Sequence, residues 1–150
     1  MDPTGQFNLV PGKRVPTIDV RSAKALLDNS DYGFLDVRSG VEFSRSHVDV
    51  PKVMNVPDLV YTAEGWLINH NFVDGVASIC KEKDHLILGS QTGEESVHIT
   101  AELLTSGYKN VLNMDGGYTA WCRNGFPLKQ LGRRNPEDEA TTSSPVNSDT

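Results

Sequence analysis

Short apolar runs alternate with segments of helical periodicity, and this alternation constrains the fold more than any other feature of the chain. Five runs have the length of strands, at residues 17–20, 34–37, 53–56, 86–88 and 111–114. Four segments have helical periodicity, at residues 23–27, 72–80, 96–105 and 118–123. Because a helix between two strands allows them to lie parallel, the pattern predicts an α/β fold with a five-stranded, mainly parallel sheet and helices on both faces.

The length and the composition of the two ends predict one folded unit. The chain has 150 residues, which suits a single domain. Residues 1–14 are polar and punctuated by glycine and proline, and the last residues are mostly polar or charged. We therefore expect a flexible N-terminal segment at 1–14, one domain at 15–130 and a disordered polar tail at 131–150.

The charge and the hydropathy pattern limit the classes of partner. The formal net charge is -6, which argues against a nucleic-acid partner because such proteins normally carry a basic face. The first residues carry no basic leader followed by an apolar stretch, and no run has the length of a membrane span. A cytoplasmic protein without a membrane partner is the expectation.

The two cysteines, Cys80 and Cys122, form no disulfide framework and no metal or redox motif, so we expect neither a metal nor another cofactor. Cys80 shares a predicted helix face with Val73, Val76 and Ala77, which favours a buried, inert thiol. For Cys122 the sequence does not decide between burial and partial exposure. A reactive role for either thiol would require a lowered pKa.

The segment from His85 to Ser96 has the outline of an active-site loop. An apolar strand ends in Gly89, Ser90 follows, and a helix begins a few residues later. Such a junction directs free backbone amides at one point, which favours an anion or a thiolate there. The candidate site is this loop, made of Ser90, Gln91, Thr92, Gly93, Glu94 and Glu95.

Several motifs recur around this loop in a specific order and spacing. They are Leu35-Asp36-Val37-Arg38 with Glu42-Phe43 and His47-Val48, then Asn55-Val56-Pro57, and finally Asp115-Gly116-Gly117-Tyr118-Thr119-Ala120-Trp121. Together they resemble the rhodanese (sulfurtransferase) family, most closely its small single-domain plant members, over residues 15–130.

The resemblance implies a family loop of the form Cys-x-x-x-x-Arg, in which the cysteine carries a persulfide and the arginine helps to bind an anionic sulfur donor. It places Ser90 at the cysteine position and Glu95 at the arginine position. A serine nucleophile needs an adjacent general base. The nearest histidines in sequence are His85, at the start of the preceding strand, and His98, in the following helix. We therefore assign no catalytic residue, although Ser90 occupies the position of the nucleophile.

The acidic residues of the loop are more favourable as structure than as an anion site. Thr92 and Glu95 have capping-box spacing, and Glu94 and Glu95 each gain roughly 0.3 to 1 kcal/mol from the helix dipole. A carboxylate about 6 Å from a bound anion would repel it by roughly 3 kcal/mol at an effective dielectric of about 20. This repulsion at least cancels the attraction of the helix terminus.

The remaining polar motif residues are interpreted as structural. Asp36, Arg38, Glu42 and His47 are expected to brace loops, with Arg38 and Glu42 one helical turn apart and able to pair. The Gly116-Gly117 pair predicts a tight turn that caps the next helix, since no nucleotide fingerprint surrounds it. Two further glycines, at positions 107 and 125, are expected to end helices in the left-handed conformation.

Three functional hypotheses follow. The leading one is a rhodanese-like protein without persulfide chemistry that acts as a binding or regulatory module. Its partner would be a protein or a small anionic or thiol ligand, and the protein would be a monomer. The second is a sulfurtransferase or a glutathione/glutaredoxin-linked arsenate reductase that uses Cys80, Cys122 or Ser90. Phosphatase-like chemistry is the weakest, because it requires a longer Cys-x-x-x-x-x-Arg loop. The combination of Ser90 with Glu95 favours natural divergence over a trapping mutation.

Overall fold

The computed structural model describes residues 7–29 and 31–130. Its helices are α1 (Val20–Asp28), α2 (Gly40–Arg45), α3 (Phe72–Ala77), α4 (Glu94–Thr105) and α5 (Gly117–Arg123). Its strands are β1 (Phe7–Val10), β2 (Lys13–Ile18), β3 (Tyr32–Asp36), β4 (His47–Val48), β5 (Val53–Asn55), β6 (Leu59–Thr62), β7 (Gly65–Ile68), β8 (His85–Gly89), β9 (Asn110–Met114) and β10 (Leu128–Lys129). These elements make a single α/β domain.

The central sheet has six strands in the order β1-β2-β9-β8-β3-β5. The five strands β2, β9, β8, β3 and β5 are mutually parallel, which confirms the predicted parallel sheet. The sixth strand, β1, lies antiparallel to β2 at the edge and corrects the predicted strand count. It falls within residues 1–14, so residues 7–14 differ from the predicted flexible segment. Residues 1–6 and the predicted tail at 131–150 lie outside the described residues.

The β1–β2 hairpin forms because residues 11 and 12 supply a turn. Pro11 has a fixed φ, and Gly12 adopts a φ of 76°, a left-handed conformation that glycine reaches without a steric penalty. The turn brings Val10 opposite Lys13 and Phe7 opposite Pro16. Residues 1–14 are polar as a whole, but the short apolar segment Phe7–Val10 within them therefore forms an edge strand.

Helices cover both faces of the sheet, and alternate strand residues divide between two buried clusters. Along β8, Leu86 and Leu88 pack with α3 and α4, whereas Ile87 packs with α1 and α5. Trp121, the largest fully buried side chain, anchors the α1/α5 side. The near-continuous apolar run at residues 86–88 is the pattern expected of a parallel strand buried on both faces.

Element boundaries differ from the sequence prediction where local hydrogen bonds begin or end a helix. Val20 begins α1 rather than ending a strand, because the Asp19 carboxylate accepts a hydrogen bond from the Ser22 amide at 2.8 Å. Helix α3 ends at Ala77, before Cys80. The glycines at 107 and 125 have φ of 108° and 71°, which confirms their predicted left-handed conformation.

A small antiparallel hairpin, formed by β6 and β7, lies outside the central sheet and was not predicted. Gly65, with a φ of 103°, follows its two-residue turn. In residues 7–29 and 31–130, no helix combines the length and the apolar character needed to cross a bilayer.

Candidate functional site

The loop from Ser90 to Gly93 lies at the carboxyl end of β8, between that strand and the first turn of α4. Strand β8 is central in the sheet, with β9 on one side and β3 on the other. The carboxyl ends of parallel strands are where α/β proteins bind ligands. The side chain of Ser90 is almost completely buried there, at 3% exposure.

The hydroxyl of Ser90 is the focus of the loop amides. It accepts hydrogen bonds from the backbone amides of Gly93 and Ser96, at 3.0 and 3.2 Å. It donates its own proton to Oγ of Ser96 at 3.1 Å. The predicted convergence of amides is therefore present, and a neutral hydroxyl occupies it.

These hydrogen bonds replace the predicted capping box. The residue that precedes α4 is Gly93, with a φ of 94°, and no side-chain hydrogen bond joins Thr92 to Glu95. Ser90 reaches the amide of Ser96 instead, because the left-handed turn at Gly93 folds the loop back over the strand end. The capping box in this molecule is at α2, where Oγ of Ser39 accepts from the Glu42 amide at 3.2 Å.

The hydrogen bonds continue into the core and do not reach an imidazole. Oγ of Ser96 donates to Oδ1 of Asn113 at 2.6 Å, and both residues are fully buried. The Ser90 proton is therefore directed to a second hydroxyl and then to an amide oxygen. Neither group has the basicity required to activate a serine nucleophile.

The Asp115-Gly116-Gly117 turn holds the loop from the other side. The amide of Tyr118 donates to the Ser90 carbonyl, and the amide of Thr119 donates to the Gln91 carbonyl, both at 2.9 Å. Gly117 has a φ of 58°, and a Cβ there would overlap the Ser90 carbonyl oxygen. The pair Gly116-Gly117 is confirmed as a tight turn, and its role is close backbone contact with the loop.

Arg38 does not pair with Glu42, contrary to the prediction. Its guanidinium binds the Asp36 carboxylate, with Nε and Nη2 at 3.1 and 2.9 Å, and Nη2 also donates to the Ser46 carbonyl at 2.6 Å. Glu42 instead accepts from the amide of Ser39 at 3.1 Å. The Asp36 carboxylate is buried at the strand end, whereas that of Glu42 is exposed. A buried carboxylate gains more from the positive charge of Arg38 than an exposed one does.

His47 has the expected structural role. Its ring stacks on Phe43 with centroids 4.0 Å apart, and its Nδ1 lies 2.9 Å from the Phe43 carbonyl oxygen. It is buried in the two-stranded β4–β10 sheet and does not line the cavity at the loop. A direct chemical role for this histidine has no geometric support.

A cavity of about 580 Å³ opens beside the loop. Helix α2 and the β6–β7 hairpin form its other walls. Of the six predicted site residues, Ser90, Gln91 and Glu95 line it, and Thr92, Gly93 and Glu94 do not. Apolar and aromatic side chains make up much of the remaining surface: Val37, Val41, Leu59, Tyr61 and Trp66.

The ionisable groups of the cavity are mainly acidic. Glu42, Asp58 and Glu95 line it, and the charge of Arg38 is neutralised by Asp36. Burial raises the pKa of Asp58 above its usual value, and the charge of Glu95 raises it further. In residues 7–29 and 31–130, no three histidine, cysteine or acidic side chains are close enough to hold a metal ion.

Neither cysteine reaches the cavity. Cys80 is buried, its sulfur lies 3.4 Å from that of Met54, and burial raises the pKa of its thiol. This confirms the predicted burial of Cys80 and disfavours its thiolate. Cys122 is half-buried on α5 and does not line the cavity.

Sequence reasoning missed the residues that the β6–β7 hairpin brings to the cavity, above all Asp58, Tyr61 and Trp66. A signal was present. Two short apolar runs flank the turn at Ala63-Glu64, which is the pattern of a hairpin. Because the two runs are too short to form a buried strand or helix, neither was predicted as an element of the core.

Comparison with known proteins identifies the class to which this fold and loop belong. The family model described as the rhodanese-like domain matches residues 18–124. The chain is 53% identical over 116 residues to rhodanese-like domain-containing protein 17 of Arabidopsis thaliana, covering 77% of this chain and 74% of that protein. This chain therefore belongs to the rhodanese-like domain family.

Other relatives carry functional names. Thiosulfate sulfurtransferase 18 of Arabidopsis thaliana is 39% identical, over 77% of this chain and 85% of that protein. The Arabidopsis protein HIGH ARSENIC CONTENT 1, mitochondrial, is 41% identical, over 83% of this chain and 69% of that protein. Among solved structures, a rhodanese-like domain from Anabaena superimposes with a TM-score of 0.61 at 22% identity, over 90% and 88% of the two chains. This last similarity supports the fold.

Proposed function

We propose that this protein is a rhodanese-like binding module that does not carry out persulfide chemistry. In a rhodanese-type reaction a thiolate attacks a sulfane sulfur, and loop amides stabilise the thiolate and the persulfide. Here the group at the focus of the amides is the Ser90 hydroxyl. A neutral hydroxyl that no general base deprotonates is a poor nucleophile toward sulfur.

The observation that carries this proposal is the hydrogen bonding of Ser90. Its Oγ accepts from two amides and donates to Ser96, so it stabilises the loop and holds no activated lone pair for a substrate. The acidic cavity supports the same conclusion, because Glu95 and Asp58 repel an anionic sulfur donor. A loop so built retains the family's shape and presents a surface for a ligand.

The test is steady-state turnover of thiosulfate with cyanide by the purified protein. We expect no thiocyanate above the uncatalysed rate. Turnover comparable to that of an active relative assayed in parallel would contradict the proposal, and the loss of that turnover in Cys122→Ser would support the alternative function. The same assay with arsenate, glutathione and glutaredoxin should also give no reaction.

The alternative function is a sulfurtransferase or an arsenate reductase that uses Cys122. The names of two relatives favour it, and Cys122 is half-buried rather than enclosed in the core. In this case Cys122→Ser should abolish turnover while Cys80→Ser leaves it. The position of Cys122 argues against it, because Cys122 lies on α5 and does not line the cavity, whereas the Gly93 and Ser96 amides bind the Ser90 hydroxyl.

A further inference from the structure

The β6–β7 hairpin carries an exposed apolar surface beside the cavity. Among the side chains that the structure describes, nine large apolar ones are exposed, and seven of these lie on the hairpin or on the facing end of α2. The seven are Val41, Leu59, Val60, Tyr61, Trp66, Leu67 and Ile68. Scattered exposed apolar residues are ordinary, whereas a concentration at a cavity mouth marks a contact surface.

Two aromatic rings form the hairpin wall of the cavity. Tyr61 and Trp66 lie directly opposite each other on β6 and β7, with ring centroids 5.1 Å apart in an edge-to-face arrangement. Both line the cavity, and they are 73% and 55% exposed. The negative π faces of exposed tryptophan and tyrosine attract cations, and arginine more often than lysine.

Three carboxylates also line the cavity, those of Glu42, Asp58 and Glu95, and none of them has a cationic partner among the described residues. Within residues 7–29 and 31–130 the ion pairs are Lys24–Asp28 and Arg38–Asp36, and neither pair involves these three carboxylates. Asp58 and Glu95 are close enough for the charge of one to affect the other. Since Arg38 is held by Asp36, the cavity keeps an excess of negative charge that a ligand from outside could neutralise.

We infer that this cavity binds an arginine side chain presented by a partner polypeptide. Asp58 and Glu95 accept hydrogen bonds from the guanidinium, Trp66 and Tyr61 contact its face, and the exposed hairpin residues contact the flanking residues of the partner. The inference rests on the proposed binding function and specifies its ligand. A planar guanidinium suits this arrangement because it binds carboxylates and stacks on aromatic rings at the same time.

A metal ion is a poorer fit than an organic cation. The cavity acids do not converge closely enough to hold a metal, and the walls between them are apolar. A cavity of about 580 Å³ also exceeds the volume that a single ion requires. An arginine side chain brings a larger charged group and an apolar stem that packs on the hairpin.

The experiment is an NMR titration of isotope-labelled protein with the peptide acetyl-Gly-Arg-Gly-amide, and with a matched peptide in which citrulline replaces arginine. The two indole N–H signals provide an internal comparison. Trp66 lines the cavity, whereas Trp121 is fully buried and donates to the Pro127 carbonyl at 2.8 Å. We expect the arginine peptide to shift Trp66 and the loop amides and to leave Trp121 unchanged.

The size of the effect follows from the charge. Citrulline keeps the shape of arginine without its charge, so the citrulline peptide should bind at least about tenfold more weakly. A lysine peptide should bind more weakly than the arginine peptide, and a glutamate peptide should not bind. Raising the salt concentration should weaken the arginine complex, because the carboxylates are partly exposed.

Matched variants separate the cavity from its surroundings. Glu94 and Glu95 both lie in the first turn of α4, but Glu95 alone of the two lines the cavity. Glu95→Gln should weaken arginine-peptide binding about tenfold, and Glu94→Gln should change it less than about twofold. On β7, Trp66→Ala should abolish binding, while Ile79→Ala, at an exposed apolar residue outside both the cavity and the hairpin, should retain it.

Four outcomes would overturn the inference. They are an arginine titration without shifts, equal affinity for the arginine and citrulline peptides, equal effects of Glu94→Gln and Glu95→Gln, or a dimer that covers the hairpin and is dispersed by Trp66→Ala. The failure of the proposed function has a different readout. Thiocyanate production by the unmodified protein would refute the binding module without persulfide chemistry, whereas an arginine titration without shifts would refute only this choice of ligand.

Discussion

Ser90 is the residue on which the proposed absence of sulfur-transfer chemistry depends. Its hydroxyl accepts from the amides of Gly93 and Ser96 without carrying charge. A thiolate at the same point would receive the same hydrogen bonds with a full negative charge, which strengthens them. The loop geometry is therefore compatible with an anion at position 90, and the residue present does not supply one.

The double variant Ser90→Cys/Glu95→Arg tests whether the loop still organises its amides for a thiolate. We predict that the new thiol has a pKa below the usual value of about 8.5, because two amides and a nearby guanidinium favour its charged form. Iodoacetamide labelling against pH, with the labelled residue located by peptide mapping, measures it. Ser90→Cys alone is the control for the guanidinium. A thiol that titrates at the unperturbed value would show that the amides do not act together.

Asp58 should reduce stability at neutral pH. Its pKa is raised first by burial and then by Glu95, so the folded state holds its proton more tightly than the unfolded state does. The penalty is absent below the unfolded pKa and develops as pH rises through the folded value. Asp58→Asn should therefore raise the free energy of unfolding at pH 7, by roughly 0.5 kcal/mol or less at this partly exposed position, and with it the denaturant midpoint. The same change should weaken arginine-peptide binding.

The control for that prediction is Asp49→Asn, an exposed carboxylate away from the cavity, which should leave both quantities unchanged. If Asp58→Asn lowered the midpoint at pH 7 and the loss disappeared in acid, Asp58 would be a stabilising residue and its proposed binding role would lose support.

At the scale of elements, two glycine turns hold the loop in place. Gly93 folds the chain back over the end of β8, and Gly117 allows the first turn of α5 to contact the Ser90 carbonyl. Both helices thus begin beside the loop, and their N-terminal amides satisfy its carbonyls or its serine. The sequence signals of this arrangement were the positions of the glycines relative to the strand ends.

Gly117→Ala should destabilise the fold by roughly 2 kcal/mol or more, because it combines a left-handed backbone with a Cβ that overlaps the loop backbone. Gly125→Ala is the matched control. Gly125 has a φ of 71° but no atom near the position of a Cβ, so this change should cost only about 1 kcal/mol. Denaturant unfolding of both variants provides the comparison, and equal losses would show that the close contact contributes nothing.

The capping signals illustrate what sequence alone decides and what it does not. Ser39 and Glu42 form a capping box, and Thr92 and Glu95, with the same spacing, do not. The difference is the conformation at the next residue, because Gly93 adopts a left-handed φ that places Ser90 rather than Thr92 near the amides. A spacing rule contains no information about that backbone choice.

At the scale of the whole molecule, the parallel sheet and the position of the loop were predictable because buried strands have a continuous apolar pattern. The edge strand β1 and the β6–β7 hairpin were not, because their apolar runs are only three or four residues long and lie outside the buried part of the sheet. The wall of the cavity that the hairpin forms therefore escaped prediction. Cytoplasmic location and a monomeric state remain predictions.

The molecule combines a rhodanese-like fold with an acidic cavity that has an aromatic wall. The loop supplies a neutral hydroxyl, the acids around it disfavour anions, and the exposed hairpin adds an aromatic wall. Under the proposed function, each of these features disfavours an anionic sulfur donor and favours a cationic protein ligand. We propose that the protein holds no sulfane sulfur, either at its loop or at Cys122.

Intact-mass spectrometry after incubation with thiosulfate tests this claim most directly. We expect no addition of sulfur to the unmodified protein, while Ser90→Cys/Glu95→Arg, treated in parallel, should gain the mass of one sulfur atom that cyanide removes. A cyanide-sensitive gain of one sulfur atom on the unmodified protein, mapped to Cys122 or to the loop, would contradict it.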